Sequence, residues 1–181
     1  MRMLCVMLLL MLNTAIAAEV EGVKIAEQVE VGDVVLELNG AGLRKKYFVK
    51  VYVGALYLPE KTSISDQAIR MAGARQISMH FLRAVEADKM TAGWTEGFTR
   101  NTKDMTVLQE RLQQFNALFE DMKAGDEMIL QYLPDEGTRV IIKASQKRVV
   151  AGEDFMQALL RVWLGAEPAD EGLKAAMLGL D

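Results

Sequence analysis

The chain has 181 residues, 25 acidic against 21 basic, one histidine and one cysteine, and 51% of its residues are apolar or aromatic. The mildly negative balance disfavours nucleic acid and anionic lipid surfaces as partners, and one histidine with no His-Glu-x-x-His pattern leaves no zinc ligand set. This length suits one domain with one substantial core.

Residues 1–17 have the layout of a secretory signal: Arg2, an apolar run from Leu4 to Leu12, then small residues ending at Ala15-Ile16-Ala17. The run is about half the roughly 20 residues needed to span a bilayer, so a cleaved leader is expected and no membrane anchor after cleavage. Residues 18–181 then form the mature domain, in the periplasm or secreted. Cys5 leaves with the leader, and the domain must hold together by packing alone.

Val23 to Val29 and Val34 to Leu38 alternate apolar with polar residues and read as strands. Asn39-Gly40-Ala41-Gly42 carries turn chemistry. Leu43 to Leu58, rich in Val and Tyr and closed by Pro59, predicts one long strand bent near Lys45-Lys46. Ser65 is placed to cap a short helix through Met71. Arg75 to Leu82 alternates again, with Ile77, Met79 and Phe81 on one face and Ser78 and His80 on the other.

Two amphipathic helices are predicted next, over Glu86 to Asn101 and Val107 to Met122. Glu127 to Tyr132 and Thr138 to Lys143 flank Pro134-Asp135-Glu136-Gly137, a hairpin connection, and Val149-Val150 suits a short strand. Glu153 to Leu164 is a third amphipathic segment, and Pro168 opens a last helix to Leu178. Strands joined by short turns and interrupted by helices, without strict alternation, predict an α+β fold, an antiparallel sheet covered by helices on one face.

The inventory excludes several active sites. There is no Gly-x-Ser-x-Gly elbow, and Gly40-Ala41-Gly42 lacks the third glycine and the following helix of a dinucleotide fingerprint. No cofactor is expected. His80 reads as a solvent-facing strand residue, with a proton shuttle as the alternative, and Trp94 and Trp163 read as core anchors. Arg44 stands out, because a guanidinium at the start of a largely apolar strand stays charged and needs an anion. That anion is either an external ligand or an internal carboxylate, unless Arg44 lies exposed beside Lys45 and Lys46.

Leu38-Asn39-Gly40-Ala41-Gly42-Leu43-Arg44 with Phe48-Val49-Lys50-Val51-Tyr52-Val53-Gly54-Ala55-Leu56-Tyr57-Leu58 resembles the Gly-Ala-Gly-x-Arg region of the chalcone isomerase family. Phe115-Asn116-Ala117-Leu118-Phe119, Gly125-Asp126, Gly152-Glu153-Asp154-Phe155 and Trp163-Leu164-Gly165-Ala166-Glu167-Pro168 follow in the order of its bacterial, exported branch. The resemblance implies an open-faced β-sandwich, shared by isomerases and non-catalytic fatty-acid binders. It places Arg44 where the isomerases stabilise an enolate. The isomerase threonine stands here as Tyr52, the tyrosine before the long helix has no counterpart near Met105-Thr106, and the late Ser or Thr is Glu167. The binders pair an arginine with a strand tyrosine around a carboxylate, which implies Arg44 and Tyr52 as ligand-binding residues and a small amphipathic acid as the partner. An isomerase or intramolecular lyase acting on an enone is the alternative. Eight residues of straight strand would separate Arg44 from Tyr52 by about 26 Å, so the two can share one head group only if the chain turns or bulges between them, which is expected at Lys45-Lys46.

Overall fold

The computed structural model describes residues 16–180; the apolar run of the expected signal peptide lies outside the described residues. A first hairpin pairs β1 (Ile16–Val20) with β2 (Val23–Ala26). Then β3 (Gln28–Val31), β4 (Val34–Lys46), β5 (Val49–Leu58), β6 (Arg75–Phe81), β7 (Glu127–Leu133), β8 (Gly137–Ile142) and β9 (Ser145–Val150) form one antiparallel sheet in sequence order. The helices are α1 (Ser65–Arg70), α2 (Ala87–Asn101), α3 (Gln109–Asn116), α4 (Glu153–Leu164) and α5 (Glu171–Met177).

The strand period sorts side chains onto two faces. Leu56, Ile77, Leu130 and Val140 stand opposite one another across β5 to β8, and all four are inaccessible to solvent beneath the helices. Each such side chain contributes about 1.5–3 kcal/mol of burial. On the other face Val53, Ala55 and Tyr57 join Ile25, Val31, Leu36 and Leu38 in a smaller core, with Ala18, Val20 and Val23 of the first hairpin packed against it. The expected α+β architecture is therefore present, with a small β cover added behind the sheet. Helix α4 is the central layer: Phe155, Met156, Leu159, Leu160, Val162 and Trp163 are all buried. Its first turn is tied down by Arg111, which donates to both Asp154 carboxylate oxygens at 2.7 and 2.6 Å.

Several expectations are corrected. Asn39-Gly40-Ala41-Gly42 makes no turn and lies inside β4, with a register shift between Leu38 and Gly40. Its glycines are required by close approach: a Cβ on Gly40 would sit 2.0 Å from the Ala176 carbonyl oxygen, and one on Gly42 2.4 Å from Ala176 Cβ. Asn39 fixes this contact by donating to the Met177 carbonyl at 2.6 Å. Leu43 to Leu58 is not one bent strand but parts of two, reversed at Tyr47-Phe48, with Tyr47 in the left-handed region (φ 57°). The segment Val23 to Val29 is divided between β2 and β3. The second amphipathic segment is helical only over α3; beyond it Phe119 still packs against Trp94, while Met122 leaves the helix to bridge Val85. Ser65 is the first residue of α1, not its cap. The last helix starts later than Pro168, with Asp170 accepting from the Leu173 N–H as its cap.

Candidate functional site

The reversal at Tyr47-Phe48 removes the distance problem. It folds β5 back along β4 so that Arg44 and Tyr52 are direct cross-strand partners, and the Arg44 guanidinium carbon lies 5.5 Å from the centre of the Tyr52 ring. Within β4 the register also slips between Arg44 and Lys45, where the sequence suggests a bend. Arg44 is half-buried. The ion pairs among the described residues do not include it. The nearby Asp170 has its oxygens engaged by the Lys45 and Leu173 N–H groups.

Tyr52 is 5% exposed, and its hydroxyl accepts a hydrogen bond from Trp163 Nε1 at 2.8 Å. An indole N–H can only donate, so this bond fixes the phenolic oxygen as acceptor and leaves its own O–H free to donate elsewhere. Burial raises the phenol pKa, partly offset by Arg44 and by the Trp163 bond, so at neutral pH the group is a protonated donor. Trp163 is thus more than the core anchor predicted from its spacing. No sequence signal links it to Tyr52, since 111 residues separate the two.

Arg44 and Tyr52 line a cleft of about 1030 Å³ between the sheet and α2, α4 and the α4–α5 connection, near the upper end of small-molecule sites. Its floor is apolar: Val51, Met79, Phe81, Met90, Trp94 and Val162. Trp94 Nε1 is buried there without a hydrogen-bond partner among the described residues. Six basic residues line the cleft, Arg44, Lys45, Lys46, Arg83, Lys89 and Arg100, against three acidic ones, Glu86, Glu96 and Glu167. A chain of net charge −4 therefore carries a locally positive cleft, the field that attracts an anion. A shallower depression of about 950 Å³ on the outer side of α2 carries Thr91, Thr95 and Thr99. Their hydroxyls donate to carbonyls three or four residues earlier in the helix, so it is the weaker site.

His80 belongs elsewhere. It lies across from Val53 on the opposite face of the sheet, half-buried, with Nε2 3.2 Å from Glu127 Oε1. No cluster of His, Cys, Asp and Glu suited to a metal is present among the described residues. The sequence reading overlooks Arg75, which is fully buried, donates to the Ile69 carbonyl at 2.8 Å and to Glu153 at 3.0 Å, and sits over the Tyr132 ring at 4.7 Å. Among the described residues Arg75 closes a buried ion pair, whereas Arg44 closes none and lines the cleft.

The profile of the chalcone isomerase-like family matches residues 17–179. The chain belongs to that family. No curated protein matches it by sequence. Among solved structures, a fatty-acid binding protein of Arabidopsis thaliana is similar with a TM-score of 0.70 at 15% identity, over 87% of this chain and 92% of that one. At such low identity the likeness concerns the fold. Met105 and Thr106 do not line the cleft, and Glu167 lies exposed at its rim.

Proposed function

We propose that this protein is an exported, non-catalytic binder of a fatty acid or similar small amphipathic acid, held in the cleft with its carboxylate between Arg44 and Tyr52. The observation that carries this reading is an arginine without a carboxylate partner among the described residues, facing a tyrosine whose free O–H is set by Trp163, at the edge of an apolar floor. A guanidinium fork and a phenolic donor suit the two oxygens of a carboxylate. The chalcone isomerase-like fold shared with a plant fatty-acid binding protein supports the ligand class. Enone cyclisation is the less favoured reading, because Arg44 stands without the partner hydroxyls that the isomerases use.

Magnitudes assign the roles. An aliphatic tail gains roughly 0.8 kcal/mol per buried methylene, so ten methylenes outweigh the roughly 1.5–3 kcal/mol of a charge-assisted hydrogen bond. The tail sets affinity and Arg44 sets orientation. Calorimetric titration with palmitate tests this. Binding by the native protein is expected, and Arg44→Gln is expected to weaken it by about 10- to 150-fold with the fold retained. Absence of palmitate binding by the native protein, or an unchanged affinity in the variant, would overturn the assignment.

A further inference from the structure

The turn joining β4 to β5 is built against local preference. Two-residue hairpin turns favour Asn, Asp and Gly because they need positive φ, yet here Tyr47 takes φ 57° and is followed by Phe48. Both rings stand in solvent: Tyr47 is 88% and Phe48 99% exposed, and Val49 beside them is 41% exposed. Lys45 and Lys46 precede the pair and Lys50 follows it, the last paired with Glu21. Lys45, Lys46, Tyr47 and Val49 are also part of the cleft rim, with Arg83 and Lys89 among its other exposed basic residues.

Aromatic rings flanked by lysines are well matched to the headgroup layer of a bilayer. There the rings settle among the upper acyl carbons, and the lysine stems lie along apolar surface while their ammonium groups reach anionic phosphates. The overall negative charge does not oppose this, since charges more than about 8–10 Å away are screened at physiological ionic strength. We propose that the Tyr47-Phe48 tip with its lysines docks the protein on anionic phospholipid surfaces and seats the cleft rim at the bilayer. The tip is far too short to span, and among the described residues no helix is long and apolar enough to cross a membrane. The docking proposal goes beyond the ligand reading and stands even with an empty cleft.

A fluorescent residue at the tip tests it in the full chain. In a Phe48→Trp variant the new indole is exposed, whereas Trp94 and Trp163 are 4% and 1% exposed, so a change in emission reports the tip and not the apolar run Leu4 to Leu12. With vesicles of phosphatidylcholine and phosphatidylglycerol in equal parts, a blue shift and quenching by lipids brominated on their acyl chains are expected, and neither with phosphatidylcholine alone. Adding Lys45→Gln and Lys46→Gln should lower the partition coefficient roughly thirtyfold, each lysine contributing about a factor of five. Emission unchanged by either vesicle, equal shifts with both, or partition indifferent to the lysine substitutions would overturn the proposal. So would a concentration-dependent blue shift without lipid, which would assign the tip to a second copy of the chain.

Discussion

The Tyr52 hydroxyl has an observed partner in Trp163 and a proposed one in the ligand, and this makes its removal informative. As acceptor it satisfies Trp163 Nε1, and both residues are nearly inaccessible to water. Tyr52→Phe deletes that acceptor and leaves a buried donor unpaired, a loss of about 1–3 kcal/mol. Chemical denaturation should show this as a lower midpoint at unchanged slope, whereas Arg44→Gln, which breaks no ion pair among the described residues, should leave the midpoint nearly where it was. Palmitate affinity should fall in both variants. A Tyr52→Phe protein as stable as the native one would mean that the Trp163 bond contributes nothing and that the hydroxyl is not held for a ligand. Of this site the sequence exposes only part. The unusual place of Arg44 is visible because a cation followed by apolar strand residues demands an explanation, and the pairing with Tyr52 follows only from family resemblance. The bonds of Trp163 to Tyr52 and of Arg75 to Glu153 are invisible because these partners lie far away in the chain, and nothing in residue type or period announces a contact of that range.

At the scale of elements, composition misleads where a residue type has two uses. Asn39 to Gly42 has the makeup of a turn, but its glycines serve close packing of α5 on β4; Lys45 to Phe48 has none of that makeup and holds the actual reversal. The strongly periodic segments fare better, and α4 occupies the very span that its apolar spacing predicts. The same double meaning of glycine gives a test within α2. Gly93 and Gly97 are both helical and each should cost roughly 1 kcal/mol relative to alanine. A Cβ on Gly93 meets nothing within 4 Å, while one on Gly97 would lie 2.8 Å from Val162 Cγ1 of α4. Gly93→Ala is therefore expected to raise stability by up to about 1 kcal/mol. Gly97→Ala should lower it, because forcing α2 from α4 costs about 1–3 kcal/mol and outweighs the propensity gain. Thermal unfolding of the two variants beside the native protein gives the signs directly. A shift in the same direction for both would show that α2 and α4 are not packed through Gly97.

For the molecule as a whole, the proposed export and the architecture make a joint demand. Cleavage after Ala17 or Ala18 would remove the start of β1, which pairs Ile16 with Ala26 across an irregular register. The regular pairs Ala18 with Ile25, Glu19 with Lys24 and Val20 with Val23 lie at or beyond the cut, so at least Glu19 and Val20 remain to keep the hairpin closed over Ile25, which is 1% exposed. A leader ending there can be lost without opening the smaller core. The expected outcome, on expressing the full chain in a Gram-negative host, is a periplasmic product whose N-terminal sequence begins at Ala18 or Glu19. Uncleaved protein held in the membrane fraction through Leu4 to Leu12 would instead make that run an anchor. The distinction bears on the hairpin tip as well. A mature chain without its apolar run meets lipid only through its folded surface, and among the described residues that surface offers no larger aromatic projection than Tyr47 and Phe48.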